Sequence, residues 1–92
     1  MSILEIDHSL IEPVSAYCTD EDVVVTLADG ARIVTPLWWY PTLLRATDDQ
    51  RNAIELSPFG VHWPEIDEDL SIEGMLKGRK AKNAIPPAQA AE

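Results

Sequence analysis

The feature that most constrains the fold is a pair of alternating apolar segments joined by an Asp-Gly pair. Apolar residues recur at every second position in residues 23–27 and 31–35, on either side of Asp29-Gly30. A period of two predicts strands with one buried face. Asp-Gly favours a type I′ hairpin turn, because both residues tolerate a positive φ. With the alternating segment 14–19 before them, these strands predict a three-stranded antiparallel meander.

Two short helices are predicted after Pro36. Large apolar residues recur there at helical spacing: Trp39, Tyr40, Leu43 and Leu44. The spacing predicts a helix that begins near Trp38 with Pro41 in its first turn, where the missing N–H does little harm. Trp39 is expected to face inward beside Leu43, with Trp38 at the flank. Thr47-Asp48-Asp49-Gln50 matches a capping box and predicts a second helix to about residue 53.

A strand pair and a last helix complete the predicted domain. Residues 54–57 and 61–63 read as strands around a Pro-Phe-Gly turn, and residues 69–73 as a helix start, with Gly78 as its stop. The predicted class is α+β: a three-strand meander, two short helices, a further strand pair and a C-terminal helix. Residues 1–78 are predicted to form this single domain. The Ala-, Pro- and Lys-rich residues 79–92 are predicted to be a disordered tail.

Charge and length limit the classes of partner. The 92 residues carry sixteen acidic and seven basic side chains, for a net charge of −9. Residues 1–30 contain seven acids and no Lys or Arg. Such a body repels phosphates, so we exclude nucleic-acid binding by the domain and expect a basic protein partner. Contact of nucleic acid with Arg79, Lys80 and Lys82 is a weaker alternative. A short chain buries a modest core, so we also expect self-association, including strand pairing through residues 23–25.

The compartment and the single cysteine also follow from the sequence. The N-terminus has neither a basic segment nor a long apolar run, so no signal peptide and no membrane span are predicted, and we expect a cytoplasmic protein. Cys18 is the only cysteine, which excludes an intramolecular disulfide. In a predicted strand it reads as a small buried apolar residue.

Residues 60–74 contain a histidine, a tryptophan and five carboxylates, and they decide between an enzyme and a binding module. A calcium loop that starts at Asp67 would need Gly and Glu where Ile72 and Gly78 stand. Zinc would need more ligands than the chain offers, which are His8, His62 and Cys18. We therefore predict no metal and no cofactor. Asp67, Asp69 and Ser71 are expected to cap the last helix.

An enzymatic alternative depends on His62. Its imidazole could act as a general base oriented by Glu65, Asp67 or Asp69. No nucleophile with a neighbouring base and no glycine-rich phosphate loop is evident in the sequence. A small hydrolase or metal-dependent enzyme therefore stays open as the alternative, beside a histidine that is bonded to a local carboxylate or carbonyl.

Several groups of residues together resemble one known family. They are the Asp29-Gly30 hairpin, Pro36-Leu37-Trp38-Trp39-Tyr40-Pro41-x-Leu43-Leu44-x-Ala46, Arg51, and His62-Trp63-Pro64-x-x-Asp67-Glu68-Asp69-Leu70-Ser71-Ile72-Glu73-Gly74. From about Val14 to Gly78 the chain resembles the short bacterial proteins of domain-of-unknown-function family 2442. The resemblance implies an α+β fold and brings no catalytic residues. Members are often encoded beside another small protein in arrangements suggestive of toxin–antitoxin pairs, which implies a protein partner.

The sequence as a whole predicts a non-enzymatic protein-interaction module. Its partner is expected to be a basic protein, encoded by a neighbouring reading frame, with this chain as the antitoxin-like member of the pair. An exposed tryptophan beside an acidic rim is typical of an interface. The interface candidates are Trp38, Tyr40, Glu65, Asp67 and Asp69.

Overall fold

The computed structural model describes residues 10–87 of the protein as two three-stranded antiparallel sheets with short helices between and after them. The first sheet has the strand order β1-β2-β3, with β1 at Pro13–Cys18, β2 at Asp22–Leu27 and β3 at Arg32–Pro36. A 3₁₀ turn at Leu37–Trp39 leads into α1 (Pro41–Leu44) and α2 (Asp48–Asn52). The second sheet, in the order β4-β5-β6, comprises Glu55–Ser57, Gly60–Trp63 and Glu68–Ser71, and α3 follows at Ile72–Leu76. The predicted α+β class and the meander are confirmed.

The second sheet has one strand more than the sequence predicted. The segment expected to start the last helix instead pairs with β5, with Val61 opposite Leu70 and His62 opposite Asp69. Leu70 thereby enters the core, and the helix begins only at Ile72. The expected capping was right for Ser71, whose Oγ accepts a hydrogen bond from the Gly74 N–H at 2.9 Å. It was wrong for Asp69, which lies in the strand.

The first hairpin has a different turn from the one predicted. Among the residues that the structure describes, Asp67 alone has a positive φ without being glycine, so Asp29 cannot form a type I′ turn. The Gly30 N–H donates to Leu27 O, and the Leu27 N–H donates to Ala31 O, which closes a three-residue loop. Gly30 occupies the left-handed position at φ 90°. Asp29 acts through its side chain, which accepts a hydrogen bond from the Ala31 N–H at 2.9 Å.

The aromatic segment forms two helical pieces where one helix was predicted. Tyr40 separates them with φ −129° and ψ 85°, because a residue before proline avoids the helical region. Pro41 then occupies the first turn of α1, as expected. The break also changes which side chains face inward. Leu37 and Tyr40 enter the core, whereas Trp39, predicted to face inward, is only half-buried.

The predicted start of α2 and the predicted end of α3 are confirmed. The Thr47 hydroxyl accepts from the Gln50 N–H, and the Gln50 side chain accepts from the Thr47 N–H, so α2 begins with a capping box. At the end of α3, the N–H groups of Gly78 and Arg79 donate to carbonyls of the last turn. Gly78 has φ 72°, which is the left-handed conformation that a Schellman motif requires.

The core is closed by Trp63, which has no exposed surface. Its indole N–H donates to the Arg51 carbonyl oxygen at 2.9 Å. The guanidinium of Arg51 in turn donates to Leu43 O at 2.9 Å and to Leu44 O at 2.6 Å. These carbonyls lie at the end of α1, where Leu43 O also accepts a hydrogen bond from the Ala46 N–H at 3.1 Å. One chain of hydrogen bonds therefore joins the second sheet to both helices.

Strand pairing through residues 23–25 was a wrong prediction. They lie in β2, whose two edges are occupied by β1 and β3. Backbone groups that are free to pair with another chain belong only to the outer strands of this sheet, β1 and β3. The central strand β2 is therefore not available for strand pairing across a dimer.

Some sequence predictions concern residues beyond the described part of the chain. His8 and residues 88–92 lie outside it, so the disordered tail stays a prediction. Residues 79–87 are described, and the Ala81 N–H donates to Trp39 O at 3.0 Å. Lys80 Nζ lies 4.9 Å from the centroid of the Trp39 ring. Within residues 10–87, no helix is long and apolar enough to cross a membrane.

Arg51→Met should lower the free energy of unfolding by about 2 kcal/mol, because two charge-assisted hydrogen bonds to helix-end carbonyls are lost. Urea denaturation followed by circular dichroism measures the change. Arg45→Met, at an exposed arginine just after α1, is the matched control and should change it by less than about 0.5 kcal/mol. Equal effects of the two substitutions would show that the Arg51 hydrogen bonds contribute nothing particular.

Candidate functional site

Trp38 lies in a concavity that we name the Trp38 groove, with a volume of about 450 Å³. Its lining residues come from the β1–β2 turn, the end of β3, the helical segment and the described end of the chain: Asp20, Glu21, Asp22, Pro36, Trp38, Leu44 and Pro87. The half-buried Trp38 ring packs edge-to-face on Trp39, with centroids 6.3 Å apart and planes at 81°. The groove therefore presents an aromatic wall that its neighbour holds in place.

Three acidic residues also line the groove. Asp20, Glu21 and Asp22 follow one another in the turn between β1 and β2. The Thr19 hydroxyl accepts hydrogen bonds from the Glu21 and Asp22 N–H groups at 3.2 and 2.9 Å, which fixes the backbone of this turn. None of the residues that line the groove is basic. An aromatic face next to carboxylates can hold a Lys or Arg side chain by cation–π attraction and charge pairing.

Trp38 was singled out from the sequence as an interface candidate, but its acidic neighbours Asp20, Glu21 and Asp22 were not. Three consecutive acids were a visible signal. Their proximity to Trp38 was not visible, because the turn and the tryptophan are brought together only when Leu37 pairs by its N–H with Glu21 O at 2.8 Å.

Tyr40 is a core residue, so its prediction as an interface residue was wrong. Its side chain is 4% exposed, and its hydroxyl donates to the Thr35 Oγ1 at 3.0 Å. Burial raises the pKa of the phenol, with a smaller upward contribution from the charge of Glu68. Tyr40 contributes the wall of a second concavity, of about 210 Å³, which Glu68, Asp69 and Arg79 also line.

The three other acidic candidates lie away from the Trp38 groove. Glu65 and Asp67 are exposed in the turn between β5 and β6, and Asp67 adopts φ 52° there. A left-handed aspartate is uncommon, so Asp67 serves the turn itself. Asp69 is exposed on β6 and bonded to His62. The structure therefore places Trp38 at one concavity and Asp69 at another.

Glu68 is the carboxylate whose ionisation the fold disfavours most clearly. Partial burial raises its pKa, while the hydrogen bond from the Asp69 N–H lowers it and the charges of Asp69 and Asp67 raise it further. The net pKa shift is upward. Its carboxylate faces the core side of β6 because side chains alternate along the strand with the exposed Asp69.

His62 makes the hydrogen bond that the sequence suggested. Its Nδ1 lies 2.7 Å from Asp69 Oδ1 and 3.1 Å from Glu68 O. Both partners are acceptors, so Nδ1 carries a proton and donates. The imidazole is one-third exposed, at 33%, beside a shallow concavity that Ser57 and Ser71 also line. Ser71 Oγ is already bonded to the Gly74 N–H, and the Ser57 hydroxyl donates to Gly60 O.

No metal centre emerges from the described side chains. Across residues 10–87, no group of three or more His, Cys, Asp or Glu residues could hold an ion. Cys18 is half-buried against the core, and this burial raises the pKa of its thiol. A raised pKa disfavours the thiolate, which is the nucleophilic form of cysteine.

The fold and these concavities define a small acidic α+β domain with a tryptophan-lined groove. The family model "Protein of unknown function (DUF2442)" matches residues 13–81, and the chain belongs to this family. A crystal structure of a protein of unknown function from Rhodospirillum rubrum ATCC 11170 is similar, with 30% identity and a TM-score of 0.69. The similarity covers 79% of this chain and 93% of that one. Among curated proteins, none matches.

Glu68→Gln should stabilise the protein near neutral pH and have little effect near pH 4. A carboxyl whose pKa is raised in the folded state retains its proton there while the unfolded chain releases it. Stability is therefore lost as the pH rises from the unfolded pKa through the folded one. Glutamine stays neutral and can still accept from the Asp69 N–H. Urea midpoints of both proteins at about pH 4 and about pH 7 measure the difference.

Glu65→Gln, at an exposed position of the adjacent turn, controls for removal of one negative charge. It should give a smaller gain at neutral pH. A Glu68→Gln gain that is the same at both pH values would contradict the assignment to burial.

Proposed function

We propose that this protein is a non-enzymatic interaction module of the cytoplasm that binds a basic protein at the Trp38 groove. The proposed partner is the product of a neighbouring reading frame, for which this chain serves as the antitoxin-like member of a two-gene pair. The observation that carries the proposal is that Trp38 lines one concavity together with Asp20, Glu21 and Asp22.

The groove supports binding because its parts match the composition of interface centres. Tryptophan is among the residues that contribute most binding energy when they become fully buried. Trp38 is only half-buried in the free chain and gains burial when a partner covers the groove. Leu44, at 46% exposed, extends the apolar surface beside it. A partner side chain with an apolar stem and a cationic end, such as Lys or Arg, satisfies both sides of the groove.

The overall charge supports a basic partner in a second way. A net charge of −9 on a chain of this size attracts a cationic protein over a distance comparable to the Debye length. Association should therefore be fast at low salt and slow at high salt. The groove acids contribute most directly, because they lie at the contact itself.

Trp38→Ala should weaken binding of the neighbour-encoded protein at least tenfold, because the aromatic wall is lost. Co-expression with a tag on this chain, followed by calorimetry on the purified pair, measures the affinity. Asp20→Asn combined with Glu21→Gln should slow association and flatten its dependence on salt. Phe59→Ala, at a 66% exposed aromatic of the second sheet, is the matched control and should leave binding unchanged.

The absence of a specific co-purifying protein would contradict the proposal. So would a Trp38→Ala variant that binds the partner as tightly as the wild-type chain while retaining its circular dichroism spectrum. If Asp67→Ala and Asp69→Ala weaken binding and Trp38→Ala does not, the binding surface lies at the β5–β6 turn instead.

The alternative function, a small hydrolase, is supported by one contact. The 2.7 Å hydrogen bond between His62 Nδ1 and Asp69 Oδ1 is the arrangement that orients a general base. Ser57 and Ser71 line the concavity beside His62, and both of their hydroxyls form hydrogen bonds with backbone groups. His62→Ala separates the two functions. We expect it to leave partner binding intact, whereas loss of a hydrolytic activity towards ester substrates would favour the enzyme.

A further inference from the structure

The outer face of the first sheet carries a row of apolar side chains. Antiparallel pairing places Tyr17 opposite Val24 and Val24 opposite Val34. Neighbouring positions on each strand point inward, since Val23 and Val25 are fully buried. The row therefore lies on the side of the sheet away from the core. Tyr17 is 46% exposed and Val34 is 56% exposed, with Val24 enclosed between them.

This face differs in charge from the rest of the molecule. Arg32 lies two positions before Val34 on β3, and Asp22 lies two positions before Val24 on β2. Both side chains share the outer face with the apolar row, since side chains alternate along a strand. One positive and one negative charge leave this face without net charge, in a chain whose net charge is −9.

We propose that the occupant of this face is a second copy of the chain. Because β2 and β3 run antiparallel, Arg32 and Asp22 lie on opposite sides of the apolar row. A two-fold axis along the row brings each apolar side chain over its own counterpart. The same rotation puts Arg32 of each copy beside Asp22 of the other, so two such charge pairs form. The face is therefore complementary to itself, as a symmetric dimer requires.

Other occupants fit the face less well. A basic partner gains no net attraction from a neutral surface and is drawn to the acidic groove instead. An anionic membrane surface would need a cluster of Lys and Arg, and Arg32 shares this face with Asp22 across the apolar row. Two copies, in contrast, meet at a face that carries one charge of each sign. Face-to-face sheets also pack at about 10 Å, which suits medium-sized side chains such as Val.

The dimer should be weak. Three strands about 5 Å apart and a few residues long present a footprint of roughly 15 by 15 Å. This is below the area of about 800 Å² per partner that stable complexes bury. We therefore expect a dissociation constant on the order of 10–100 µM. Added salt should strengthen the dimer, because it screens the repulsion between two acidic copies. Binding of a basic partner at the Trp38 groove should respond to salt in the opposite sense.

Sedimentation equilibrium of the full chain from about 5 µM to about 1 mM tests the proposal. The average mass should rise from 10.2 kDa towards twice that value, and rise further with added NaCl. Val34→Asp should weaken self-association at least tenfold, and Tyr17→Lys should do the same from the opposite strand. Leu56→Asp, at a 42% exposed residue of the second sheet, is the matched control and should dimerise as the wild type does.

A mass of 10.2 kDa at every concentration, with and without salt, would overturn the proposal. Dimerisation of a folded Val34→Asp chain with wild-type affinity would also overturn it. If a substituted chain does not fold, NMR of the wild-type protein decides the matter. Its methyl signals from Val24 and Val34 should shift with concentration, and shifts confined to other residues would refute this interface. Trp38→Ala should leave dimerisation unchanged, so failure of the groove proposal and failure of this one are distinguishable.

Discussion

The hydrogen bond from the Trp63 indole to the Arg51 carbonyl is the contact on which the rest of the structure depends. Trp63 is the largest fully buried side chain, and its N–H needs a partner wherever the ring is placed. The carbonyl oxygen of Arg51 accepts a hydrogen bond from that N–H. The guanidinium of Arg51 donates to the carbonyl oxygens of Leu43 and Leu44 at the end of α1. The helical segment is thereby held against the second sheet. Through that segment, Leu37 and the adjacent Trp38 are positioned against the first sheet.

The distribution of charge separates two surfaces with opposite properties. Acids gather at the Trp38 groove and around Asp69, where they give the molecule its long-range negative field. The outer face around Val24 carries one charge of each sign and exposes apolar side chains. A cationic protein and a second copy of the chain would therefore bind at adjoining surfaces that share Asp22. Since salt screens attraction at one and repulsion at the other, ionic strength would shift the balance between them.

The candidate site was only partly predictable, and particular residues show why. Trp38 was identified because an aromatic pair on a short helix cannot bury both rings. Tyr40 was misjudged because the proline after it breaks the helix and turns its ring towards Thr35. The carboxylates that line the groove with Trp38 were missed because no local pattern connects residues 20–22 with residue 38. His62 was correctly expected to bond to a nearby acid, since Asp69 was one of three neighbours considered.

The sequence by itself determined those local structures that depend on interactions between residues close together in the chain. The meander follows from the alternation around Asp29-Gly30, the α2 start from Thr47 and Gln50, and the α3 end from Gly78. Only the tertiary structure decided the secondary structure of residues 68–71. They have the polar pattern of a helix start, yet they form a strand that pairs with β5. The backbone groups of these residues pair with β5, and Gly60 allows the close approach because a Cβ there would overlap Leu70 O. Such pairing depends on distant residues, so only the folded chain reveals it.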